Sequence, residues 1–111
     1  MAVTRRGVVH ASFTHNAGSA KAVVAAKAGY RVLLHGLALT AASAVNATIE
    51  DSAGVNLSEL IQFTASNLHF TLVPTGEPWL ITPDGTGLSI LLSGIVVTSG
   101  FVIYEQESID N

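Results

Sequence analysis

Four histidines, two close pairs of carboxylates and one tryptophan set among prolines are the side chains of this sequence best suited to chemistry. Neutral imidazoles bind metals when two or more share a face at ligand spacing, and His10, His15, His35 and His69 show no such spacing. His10 and His15 stand five positions apart, so a continuous strand would send them to opposite faces. A carboxylate pair working on a glycosidic bond needs its groups roughly 5 to 10 Å apart. Glu50 and Asp51 are neighbours that diverge on a strand, whereas Glu105 and Glu107 share a face but read as part of a solvated acidic tail. Serines and threonines are plentiful, yet there is no nucleophile elbow, glycine-rich oxyanion loop or phosphate loop. With no cysteine, a disulfide, a thiolate nucleophile and a cysteine metal site are all excluded. The expectation is a chain that is not an enzyme, with no catalytic, cofactor-binding or metal-ligating residues.

The segment Glu77-Pro78-Trp79 is a different kind of candidate. All three prolines (Pro74, Pro78, Pro83) and the single tryptophan fall within residues 74–84, which reads as an irregular loop. An exposed indole there would stack on a sugar or on a neighbouring subunit. The alternative is a tryptophan plugging one open end of the fold.

The elements that must position these residues read as strands. Short β-branched runs recur between clusters of Gly, Asn, Ser, Asp and Pro. Residues 7–15 alternate, residues 22–26 and 30–40 are apolar, and residues 43–51 set Val45, Ala47 and Ile49 against Asn46, Thr48 and Glu50. Residues 58–64 and 68–73 follow, and residues 87–92 and 95–106 read as a closing hairpin around Ser93 and Gly94. Alanine density makes a helix the competitor over residues 19–27, and a helical turn competes over residues 59–63. No charge interrupts residues 85–104, a length that could span a bilayer. Its glycines, serines and β-branched residues instead favour strands.

Charged residues make up only 12% of the 111-residue chain, about half the usual share. Because charges are rarely buried, the deficit falls on the exterior, as expected of a surface partly covered by neighbours. All five basic residues lie within the first 31 positions and all eight acidic ones from position 50 onward. That polarity would let copies dock head to tail, unless folding interleaves the two ends. Two arginines and a net charge of −3 make no nucleic-acid surface. The first residues lack the long apolar core of a signal peptide, so export by the general secretory route is not expected.

From residue 25 onward the sequence resembles small structural proteins of tailed-bacteriophage virions. The matching features are Gly29, Tyr30, Arg31, Val32 and Leu33, an apolar run through Leu37 to an alanine-rich turn at Ala41 and Ala42, then Pro78, Trp79 and Leu80 before Gly87, Leu88 and Ser89. Gly100, Phe101 and Val102 lead to the aromatic-acidic close at Tyr104 and Glu105. Residues 57–72 depart from the pattern, being polar and carrying Glu59 where similar proteins are glycine-rich. The resemblance implies a capsid decoration (cement) protein or a module of a spike or fibre, assembled as a homo-oligomer with a trimer favoured. It implies a partner in the major capsid protein or another virion protein, with no nucleic acid and no membrane. The location implied is the capsid exterior, after synthesis in the host cytoplasm.

The sequence thus predicts an all-β protein: an antiparallel β-sandwich of about eight strands, jelly-roll-like. Residues 1–6 are expected as a flexible basic arm, 7–106 as one sandwich domain and 107–111 as an acidic tail. Arg5 and Arg6 are the expected capsid contacts, and Glu77, Pro78 and Trp79 the expected interface or ligand loop.

Overall fold

A computed structural model describes residues 2–5 and 8–110. Its strands in chain order are β1 (Ala2–Arg5), β2 (Val9–His15), β3 (Ala20–Val24), β4 (Tyr30–Ala41), β5 (Val45–Asp51), β6 (Ile61–Phe63), β7 (His69–Leu72), β8 (Leu80–Ile81), β9 (Leu88–Leu92) and β10 (Thr98–Asp110). Every pairing is antiparallel. The first sheet runs β1-β10-β4-β7, with β2 also beside β10 and β8 also beside β4; the second runs β3-β9-β5-β6. Since β1 and β2 share one side of β10 and β7 and β8 one side of β4, the ten strands fill eight positions. Their order, first-eighth-third-sixth against second-seventh-fourth-fifth, is that of a jelly roll, as the sequence predicts.

Within residues 19–27, where helix competed, Ala20–Val24 form a strand, because β3 can hydrogen-bond along β9 and bury Val24. Of residues 59–63, Ile61–Phe63 likewise form strand β6, not a helical turn. The expected closing hairpin is absent. β9 sits between β3 and β5 in one sheet, while β10 sits between β2 and β4 in the other, so the chain crosses the sandwich after Leu92. The charge-free run through residues 85–104 follows from this arrangement, since it feeds two strands that are each central in their sheet.

The core lies between the sheets. β4 contributes Val32, Leu34, Leu37 and Leu39, β5 Ala47 and Ile49, and β9 Leu88, Ile90 and Leu92. The step from Leu34 to Leu37 breaks strict alternation, and the ladder shows why. Tyr104 pairs with Leu34 but Ile103 pairs with Gly36, leaving His35 as an extra residue in a β-bulge. Before the bulge the odd residues Arg31, Leu33 and His35 face outward. After it the even residues Gly36, Ala38 and Thr40 do, so both halves of a long strand keep their apolar side in the core. Close approach shapes β10 as well, because a Cβ at Gly100 would collide with the backbone of Ala38 on β4.

Among the described residues, strand runs where the sequence predicts a flexible arm and an acidic tail. β1 pairs Ala2 with Asp110 through Arg5 with Glu107, and β10 runs through the acidic residues to Asp110.

Candidate interaction surfaces

The expected contact residue Arg5 lies in β1, with its backbone opposite Glu107. Arg6 lies outside the described residues.

The proline segment lies along the side of β4 away from β10, and prolines on either side of β8, which lack amide donors, keep that strand to two residues. What pins it is local. Trp79 N–H donates to the Leu34 carbonyl at 2.7 Å, and Thr82 N–H donates to that of Val32 at 3.0 Å. The buried Thr82 Oγ1 accepts from Val32 N–H at 2.8 Å and donates to the Thr86 carbonyl at 3.2 Å. Ahead of β8 the chain folds over the outer face of the first sheet, where Pro74 covers Gly36, with its Cγ 3.0 Å from the position a Cβ would take.

This route separates the three residues expected to act together. Glu77 and Pro78 border an open cleft of about 460 Å³ on the outer face, beside Arg31, Leu33, His35 and Ile81. Trp79 turns the other way, over an apolar recess of about 280 Å³ at the open margin between the sheets, where Ile49, Leu60, Ile61, Phe70 and Leu72 line it. Its Nε1–H donates to the Val73 carbonyl at 2.9 Å, and it remains 47% exposed. The indole partly closes the end of the sandwich and leaves one face to solvent.

Beneath the cleft lies a group that sequence reasoning missed. Glu105 and Glu107 alternate onto the outer face of β10 and are buried, not solvated. His35 Nε2 is 2.6 Å from Glu105 Oε1. Arg31 Nε donates to Glu107 Oε1 at 2.6 Å, and Arg31 Nη2 forms an ion pair with the same oxygen. The cluster is built by regular alternation along β4, which sets His35 on the same face as Arg31, and by the register that sets this part of β4 against residues 105–107 of β10. Two carboxylates already engaged by Arg31 and His35 serve to tie the strands together and to floor the loop. The period-two spacing of the glutamates is the signal available in the sequence, but their partners lie some seventy positions away.

The remaining histidines go their own ways. His10 stacks on Phe101 with ring centroids 6.2 Å apart and planes within 6°. His15 Nε2 lies 2.6 Å from the Ser19 carbonyl oxygen, and His69 Nδ1 lies 3.2 Å from Thr40 Oγ1. A third depression, of about 450 Å³, opens between the edges of β2 and β3, lined by Ser12, Phe13, Thr14 and Lys21.

No protein-family model matches the chain, and no curated protein does. Among solved structures it is similar to a chain of the acidic stable capsid of Helicobacter pylori bacteriophage KHP30, with TM-score 0.57 and 12% identity over 98% of both chains. A chain of the cyanophage Pam1 capsid asymmetric unit aligns at TM-score 0.49 and 16% identity, over 96% of this chain and 85% of that one. At such identities the likeness to the KHP30 chain is one of fold, and it extends over the whole molecule.

Proposed function

We propose that this chain is a non-enzymatic structural protein of a bacteriophage virion, a decoration protein that binds the outside of the capsid and stabilises it. The observation that carries this reading is the end-to-end jelly-roll match with a chain of a phage capsid structure. The low charge content supports it, since an exterior with few charges suits a subunit with neighbours on several sides. A protein that binds only the assembled shell adds its binding free energy to that state and to no other, which raises the shell's resistance to heat. Arg5 and Arg6 would supply contacts to an acidic shell protein, contacts that salt weakens. The test is to compare particles assembled with and without the chain. The expected result is that the chain is present on purified particles, and that particles lacking it still form but break open at lower temperature. Absence of the chain from purified particles overturns the proposal. Arg5→Ser with Arg6→Ser should lower occupancy, most clearly as salt rises, and unchanged occupancy removes the arginines from the contact.

The half-exposed indole over an apolar recess favours a second reading, a receptor- or carbohydrate-binding head on a spike or fibre. There Trp79→Ala should abolish glycan binding while leaving particle stability unchanged.

A further inference from the structure

A sheet edge left open is a row of unpaired N–H and C=O groups, and folded proteins blunt such edges with shortness, proline, charge or bulges. Most edges here are blunted in those ways. β6 has three residues. β7 has four and runs into Pro74, while β8 has two and is flanked by Pro78 and Pro83. β3 carries Lys21 and an irregular register between Ala22 and Val24. β1 has four residues and ends on Arg5.

β2 is the exception. Its seven residues, Val9–His15, contain no proline, no aspartate, glutamate, lysine or arginine, and no bulge. They pair with β10 in unbroken register from Thr98 to Tyr104. Near its start Val8 is 57% exposed, and the far side of β2 faces the open depression beside β3. The outward-pointing groups can be identified. Lys21 Nζ donates to the Thr14 carbonyl at 2.8 Å, so that carbonyl points away from β10. Main-chain groups alternate sides along a strand, which puts the N–H and C=O of His10 and Ser12 on the same open edge.

We propose that β2 is a pairing edge for a second copy of this chain, antiparallel and two-fold symmetric about Ser12. The outward groups dictate the register. Only centring on Ser12 pairs the three outward-facing residues wholly among themselves, Ser12 with its symmetry mate and His10 with Thr14 in both directions. On the core side the same register sets Ala11 against Phe13, small against large, and no like charges meet across the edge. An uncharged edge also offers a charged foreign strand no ion pair, which favours self-pairing. The contact joins two first sheets into one continuous layer, with the Lys21–Thr14 bond exchanged for the pairing bonds. A seven-residue ladder falls below about 1,200 Å² of interface, so the dimer is weak in dilute solution and gains when many copies are held together. This two-fold contact stands in place of the trimer that the family resemblance implies, and it does not depend on the virion reading.

The test is sedimentation equilibrium of the full chain up to about 1 mM, near the weak end of measurable association, alongside two variants. Ser12→Pro removes a central donor that faces solvent in the monomer, a position where edge strands tolerate proline. Ser12→Cys introduces the only cysteine. Its copy would lie opposite at a Cα separation of about 5.5 Å, within disulfide reach. The expected result is a mass approaching twice that of the monomer, at least ten-fold weaker association for Ser12→Pro, and rapid disulfide dimerisation of Ser12→Cys compared with a Ser66→Cys control. A wild-type chain that stays monomeric overturns the proposal, as does a folded Ser12→Pro that dimerises like wild type. Should Ser12→Pro fail to fold, the cysteine comparison decides: cross-linking of Ser12→Cys no faster than Ser66→Cys overturns it.

Discussion

His35 and Glu105 stand seventy positions apart in the chain and 2.6 Å apart in the fold, each side chain only 9% exposed. Removing one partner strands the other in a site with little water, whereas replacing both by apolar groups removes the need for either. His35→Ala should therefore lower stability by about 1–3 kcal/mol in urea unfolding. The double variant His35→Leu with Glu105→Leu should recover most of that loss. Equal losses in the single and double variants would mean that the pair is not coupled. At this scale the sequence was half legible. The common face of Glu105 and Glu107 follows from strand periodicity, but their burial does not, because what covers them is a loop and what pairs them is a strand from the other half of the chain. Trp79 was similarly legible as the residue to watch, but not as one that turns away from Glu77 and Pro78.

Among the elements, β8 is the clearest case of a strand that exists only in context. Leu80 and Ile81 have no periodicity to announce them, and prolines on either side argue for loop. They are held on β4 by backbone bonds from Trp79 and Thr82 and by the Thr82 hydroxyl. Thr82→Val keeps the shape but leaves the Val32 N–H without its partner, and should cost about 1–3 kcal/mol. Trp79 fluorescence should report loosening of the segment at denaturant concentrations below the main transition. On β10, Gly100→Ala forces a methyl group against the Ala38 backbone and should destabilise by about 1–3 kcal/mol or more, visible as a lowered melting temperature. A Gly100→Ala protein as stable as wild type would show that β4 can retreat. Strands β2, β4, β5 and β7 were readable within a residue or two of their ends, since their apolar runs and bounding turns are local properties. The strand identity of β3 was only weakly readable, because alanine is a good helix former and only the β9 ladder decides against it.

For the whole molecule, the eight-position topology makes nearly every strand pair non-local: β10 bonds to β1, β2 and β4, and β9 bonds to β3 and β5. Closing such long loops before any pairing is gained is slow. Refolding followed by Trp79 fluorescence should therefore take about milliseconds to seconds, as in other sandwiches. A microsecond phase carrying the full amplitude would contradict the topology. The same interleaving mixes the charges, bringing Arg31 from the basic front to Glu107 from the acidic rear.

What the sequence determined by itself was the class: strands from period-two runs, turns from Gly, Asn, Asp and Pro, and a lightly charged exterior from composition. These depend on residue type and near neighbours. The tertiary structure alone decided that β9 and β10 part company, that a bulge at His35 keeps β4 apolar-side inward, and that two glutamates are buried. It also decided which strand edge is left open. Each of these depends on which distant strands lie side by side, and hydrogen-bond register between segments fifty or more residues apart leaves no mark on either segment alone.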